Sequence, residues 1–166
     1  MARIVLIAAL LVIAAPAAAH GSAAAAPACS KSAARDAIAA SSSAQEAIRR
    51  TGNVEAGQDV FEVYSVSRVR CRDLTGDGKR ELGVLLRCCT VSSYSPFLIF
   101  RPAGSAWEYR YGKSRMTIFR VTARGRSFVL KEPDYAATDP NCCPSDYRYY
   151  RIRYRRGEFR TRRIRD

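Results

Sequence analysis

The sequence predicts an α+β domain: an N-terminal helical segment packed on an antiparallel β-meander of about six to eight strands and stapled by disulfides. Three observations predict it. Apolar residues recur at helical spacing between Ser30 and Thr51, strand-like runs broken by Gly, Pro and Ser fill the chain from Gly57 onward, and six cysteines are spread through both parts.

Residues 1–19 read as a signal peptide, with Arg3, the unbroken apolar run from Ile4 to Ala15, then Pro16 and the small residues Ala17-Ala18-Ala19. The run is shorter than the ~20 residues a spanning helix needs, and no later stretch is as apolar. The mature protein is therefore expected outside the cytoplasm, secreted or in the cell envelope, without a transmembrane span. Residues 20–29 form an Ala/Ser/Pro linker, and residues 30–166 are expected to fold as one domain, long enough to bury a core. Lipid anchoring at Cys29 is disfavoured, because Ala26-Pro27-Ala28 lacks the aliphatic residue such sites favour three positions before the cysteine.

Ala33, Ala34, Ala37 and Ile38 share one helical face. Ser43-Ala44-Gln45-Glu46 has the form of a capping box opening a further turn or two, which Thr51-Gly52-Asn53 ends. Strands follow: Val63, Val69 and Cys71 alternate with Arg68, Arg70 and Arg72, and Leu82, Val84, Leu86 and Cys88 continue the alternation beyond a turn. Phe97–Arg101, Trp107–Tyr111, Met116–Thr122 and Ser127–Lys131 come next, then a long loop to Ser145. A last hairpin runs Tyr147–Arg155, turns at Arg156-Gly157 and returns through Phe159 to Ile164.

Cys29, Cys71, Cys88, Cys89, Cys142 and Cys143 all lie beyond the leader, and an even count in an exported chain reads as disulfides. Adjacent cysteines seldom bridge each other, so each vicinal pair is expected to send its sulfurs to separate partners. The expected pairing joins Cys71 to Cys88 or Cys89, the other of these to the Cys142-Cys143 pair, and Cys29 to the remaining sulfur. Zinc is disfavoured, since the spacings are not of the C-x-x-C type and no histidine follows His20.

Asp73-Leu74-Thr75-Gly76-Asp77-Gly78-Lys79-Arg80-Glu81 places oxygen donors at alternate positions around a glycine turn, the pattern a hard cation such as calcium uses. Asp73, Asp77 and Glu81 would supply carboxylates, Thr75 a hydroxyl and Lys79 its carbonyl. The twelfth position is Val84, so this is not an EF-hand. The loop resembles the short calcium loops of FG-GAP and VCBS propeller repeats. A plain Asp-Gly hairpin turn is the alternative. Together with Asp139-Pro140-Asn141-Cys142-Cys143-Pro144-Ser145 and the aromatic and basic strand after it, the loop makes the chain resemble the LppP/LprE-type family of actinobacterial envelope lipoproteins and their secreted relatives. That resemblance covers about half of the chain. It implies an exported envelope domain without an assigned catalytic activity.

Lys and Arg number 28 against 15 Asp and Glu, a formal charge of +13. The excess concentrates in the last hairpin, at Arg148, Arg151, Arg153, Arg155, Arg156, Arg160, Arg162, Arg163 and Arg165. Alternation puts Tyr150, Ile152 and Tyr154 on one face and Arg151, Arg153 and Arg155 on the other. Arginine forks grip phosphate and carboxylate, so the sequence points to an anionic envelope polymer or lipid head groups, bound by Arg148, Arg151, Arg153, Arg155, Arg160 and Arg162. Export argues against nucleic acid, and a merely solvated face is the plain alternative.

His20 is the only histidine, so a Ser-His-Asp or Cys-His relay lacks its base, and an amino-terminal copper brace at His20 lacks its second histidine. A carboxylate pair among Asp134, Asp139, Asp146, Glu108 and Glu132 could serve a wall-glycan hydrolase. A binding or structural module is the expected function, with such a hydrolase or an inhibitory or interaction domain for another exported protein as alternatives.

Overall fold

The computed structural model describes residues 26–88, 93–140 and 142–165. The leader, the cleavage point, His20 and Cys89 lie outside the described residues. The fold is α+β. Helices α1 (Lys31–Ala39), α2 (Ser42–Arg49) and the short α3 (Val60–Val63) precede eight strands: β1 (Ser65–Arg72), β2 (Glu81–Arg87), β3 (Phe97–Ala103), β4 (Ala106–Lys113), β5 (Arg120–Ala123), β6 (Phe128–Asp134), β7 (Asp146–Arg155) and β8 (Glu158–Ile164). No described helix is long and apolar enough to cross a membrane.

The strands do not form one meander. They form two antiparallel four-stranded sheets, β1-β2-β3-β4 and β5-β6-β7-β8. The reason lies in β2 and β3, whose side chains are buried on both faces. Leu82, Val84, Leu86, Leu98 and Phe100 meet Ala34, Ala37, Ile38, Ala44, Ala47 and Ile48 of the helices. Leu85, Phe97 and Ile99 point the other way, against Val121, Phe128, Leu130, Ile152 and Phe159 of the second sheet. A central sheet apolar on both sides needs a cover on each. The helices supply one and β5 to β8 the other.

Ser30 caps α1 by accepting the Ala33 N–H, and Ser41, not Ser43, caps α2 by accepting that of Ala44. Gln45 turns back to donate to the carbonyl of Ala39 instead of closing a capping box. Met116 and Ile118 are buried but not in a strand, and β5 begins at Arg120. Val63 belongs to α3 rather than to a strand.

The two sheets pack tightly against each other at Gly83. A Cβ there would lie 2.8 Å from ring atoms of both Phe97 and Phe128, whose rings meet edge to face with centroids 5.4 Å apart. Gly83→Ala is expected to push the sheets apart and cost about 1–3 kcal/mol as an overpacked core does, read as a lower urea midpoint. An unchanged midpoint would show that the interface has slack.

One disulfide joins described residues, Cys29 to Cys71. The pairing of Cys71 with Cys88 or Cys89 is corrected by the strand register. Cys71 lies opposite Leu82, so Cys88 stands six residues along the neighbouring strand, roughly 20 Å away at about 3.4 Å per residue, far beyond disulfide reach. Cys142 and Cys143, expected to be bridged, are exposed free thiols.

Candidate anion-binding face

The second sheet turns one face to the core and the other to solvent. On the solvent face the register builds rows across the strands. Arg120, Lys131, Tyr149 and Ile164 form one row, and Thr122, Val129, Arg151 and Arg162 the next. Arg153 stands opposite Arg160 beyond them, and Arg155 opposite Glu158. The hairpin ends in a two-residue turn in which Arg156 (φ 51°) and Gly157 (φ 90°) both take the left-handed conformation that suits the strand twist. That turn fixes which arginines face one another.

Arg151 and Arg162 therefore oppose each other directly, as do Arg153 and Arg160. Like charges so placed destabilise a sheet. Arg160 is paired with Glu158 on its own strand, but both are largely exposed, where such a pair is worth little. Among the described residues Arg151, Arg153, Arg155 and Arg162 take part in no ion pair, and the Nε of Arg151 is buried without a hydrogen-bond partner. The hairpin lines an open trough of about 1250 Å³.

Arg148, which the sequence groups with these residues, lines one end of the same trough but has the opposite strand parity. It shares parity with Tyr150 and Ile152, and its guanidinium grips Asp134 through two hydrogen bonds. Five of the six expected arginines thus share a face, and Arg148 is committed elsewhere. Sequence reasoning missed Lys131, which the β6–β7 register brings beside the arginines. Its Nζ lies 3.4 Å from the ring centroid of Tyr147 and 5.8 Å from that of Tyr149. Phe119, more than half exposed, packs against Tyr147, and Arg87 stands over the Phe119 ring while donating to its carbonyl.

The cysteine loop beside this face is held by one carboxylate. Asp139 accepts the N–H groups of Ala136 and Ser145, both at 2.8 Å, and the Ser145 contact first, then that of Ala136, holds it below the usual carboxylate range. Hydrogen bonding to Cys142 raises the Cys143 thiol above its ordinary value, which lowers its thiolate fraction and its reactivity. Of the other carboxylates, Asp134 is engaged with Arg148, and Glu108 with Arg110.

The Asp73–Glu81 loop is brought together as its spacing suggests, but its oxygens are already spoken for. Asp73 accepts the Gly76 and Gly78 N–H groups, and Asp77 that of Lys79. Glu81 is fully buried and accepts the Leu74 N–H at 2.6 Å. The Thr75 hydroxyl is buried near Asp77 without an aligned hydrogen bond. Arg101, from β3, completes the cluster: its Nη2 donates to Asp77 at 2.8 Å, and its Nε lies 3.3 Å from Glu81 Oε1, close enough for charge attraction but not aligned as a hydrogen bond. Burial pushes the Glu81 carboxyl up, partly offset by the Leu74 N–H and by Arg101. The Lys79 N–H, then the Thr75 hydroxyl and Arg101, hold Asp77 down.

A calcium ion collects about six to eight oxygens around one point. Here the carboxylates turn to backbone N–H groups and to a guanidinium, and among the described residues no three of His, Cys, Asp or Glu stand together as metal ligands. In this conformation the positive charge beside Asp77 and Glu81 is that of Arg101. No protein-family model, curated protein or solved structure matches this chain.

Proposed function

We propose that the chain is an exported cell-envelope binding module whose second sheet holds an anionic polymer on its solvent face. The observation that carries this reading is the pair of opposed arginine rungs, Arg151 with Arg162 and Arg153 with Arg160. Unneutralised, they cost the fold stability. A polyanion laid along the hairpin would relieve that repulsion and gain charge-assisted hydrogen bonds.

The extracytoplasmic setting rests on the leader and on the Cys29–Cys71 disulfide, a bond that persists in oxidising compartments. Binding is favoured over hydrolysis because Asp134 and Asp139, two of the three aspartates at the cysteine loop, are engaged in ion-pairing and loop closure. The Asp73–Glu81 loop is read as a structural turn in which Arg101 stands in for a cation.

The test is retention of the purified chain on insoluble cell-wall material across a salt series. Retention should fall steeply as salt screens the exposed charges. Arg151→Gln with Arg153→Gln should weaken it at least tenfold at constant salt, while Arg110→Gln, on β4 of the first sheet, should leave it nearly unchanged. Equal retention of all three proteins would refute the reading.

A further inference from the structure

Resting on the reading above, we infer that the face is spaced for a polymer of phosphodiester-linked polyol or sugar units. The two rungs lie two residues apart on both strands of the hairpin, so they recur at about 7 Å along the strands. Each rung offers one guanidinium from either side. A phosphodiester has two non-ester oxygens, and an arginine from each strand can take one of them.

The interval between rungs then selects the polymer. In a polyol-phosphate chain, adjacent phosphates are separated by a short carbon linker and two ester oxygens, a span of the same order as the rung spacing. An acidic glycan with one carboxylate per disaccharide places its charges much farther apart and can fill only one rung at a time. The rungs are also bounded. Beyond Arg151 and Arg162 the next row is Tyr149 with Ile164, and beyond Arg153 and Arg160 it is Arg155 with Glu158.

Nucleic acid shares the phosphodiester, but its usual binders add aromatic faces on which bases stack. Here the Lys131 ammonium lies 3.4 Å from the Tyr147 centroid and 5.8 Å from that of Tyr149, so both tyrosines beside the rungs already face a cation. The arrangement favours a backbone without bases.

The test compares three ligands of matched total charge at fixed salt by fluorescence anisotropy competition: poly(glycerol phosphate), hyaluronate and oligothymidylate. Poly(glycerol phosphate) should bind at least tenfold more tightly than hyaluronate and more tightly than oligothymidylate. Arg151→Gln with Arg162→Gln, which removes one rung, should abolish the preference over hyaluronate. It should also raise the denaturation midpoint of the unliganded protein, because a repulsive pair is gone. Equal affinity for the three ligands would overturn the spacing inference and leave the proposed function standing. Tighter binding of oligothymidylate would overturn it in favour of a nucleic-acid face. Failure of all three to bind would overturn both.

Discussion

Replacing Cys29 and Cys71 together by serine is expected to lower the stability of this protein by about 4 kcal/mol, the loop-closure value for a bridge spanning 42 residues of sequence. The closed loop contains all three helices. Neither α1 nor α2 could hold itself: they are 9 and 8 residues long, below the length at which isolated helices persist. They cover the first sheet mainly through alanines and two isoleucines, a thin apolar contribution for a whole layer. The bridge ties the chain just before α1 to the C-terminal end of β1, and a hydrogen bond from the Trp107 indole to the Ala28 carbonyl adds a second tie to β4. Urea denaturation of wild type with and without reductant, beside the double serine variant, checks this. The reduced wild type and the variant should share one lowered midpoint. A variant as stable as the oxidised protein would mean that the helices hold to the sheet without the bridge.

The helices, the hairpin turns and the outward arginines of β7 were legible because each depends on local pattern. Arg156-Gly157 announces its turn, and alternation alone places Ile152 inward and Arg153 outward. Two features were not legible, and both depend on which strands lie side by side. The runs Leu82-Gly83-Val84-Leu85-Leu86 and Phe97-Leu98-Ile99-Phe100 are continuous rather than alternating. That is the mark of strands covered on both faces, and it could have revealed a second layer. The disulfide partner of Cys71 needed the β1–β2 register, which places Cys88 at the far end of the ladder. At the candidate site, spacing brought Arg151, Arg153, Arg155, Arg160 and Arg162 to one face but also recruited Arg148, whose strand parity is the opposite one. Lys131 and Arg101 come from strands distant in sequence, and nothing local marks them.

Arg101 decides the behaviour of the buried carboxylate beneath it, and Arg101→Met is expected to cost about 3–5 kcal/mol at neutral pH, as removing one partner of a buried ion pair does. Glu81 is fully buried at the end of the core between the sheets, and Arg101 bridges it to Asp77 while stacking over Tyr154 of the second sheet. Without the guanidinium, Glu81 keeps the Leu74 N–H but loses its only opposing charge among the described residues. The pH dependence follows from the direction in which burial already pushes Glu81. A carboxyl whose pKa is higher folded than unfolded favours the fold at low pH, where it is protonated in both states, and that contribution is lost as pH rises through the folded value. Removing Arg101 raises the folded value further. The deficit of the variant relative to wild type should therefore be small near about pH 4, where the ordinary glutamate begins to titrate, and grow towards neutrality. Adding Glu81→Gln should recover most of the loss at neutral pH, since the double variant buries no unpaired charge. Urea denaturation of the four proteins in the cycle at acid and neutral pH measures the coupling. A deficit independent of pH, or one that Glu81→Gln leaves in place, would show that Arg101 acts through packing and not as the resident cation of the Asp73–Glu81 turn.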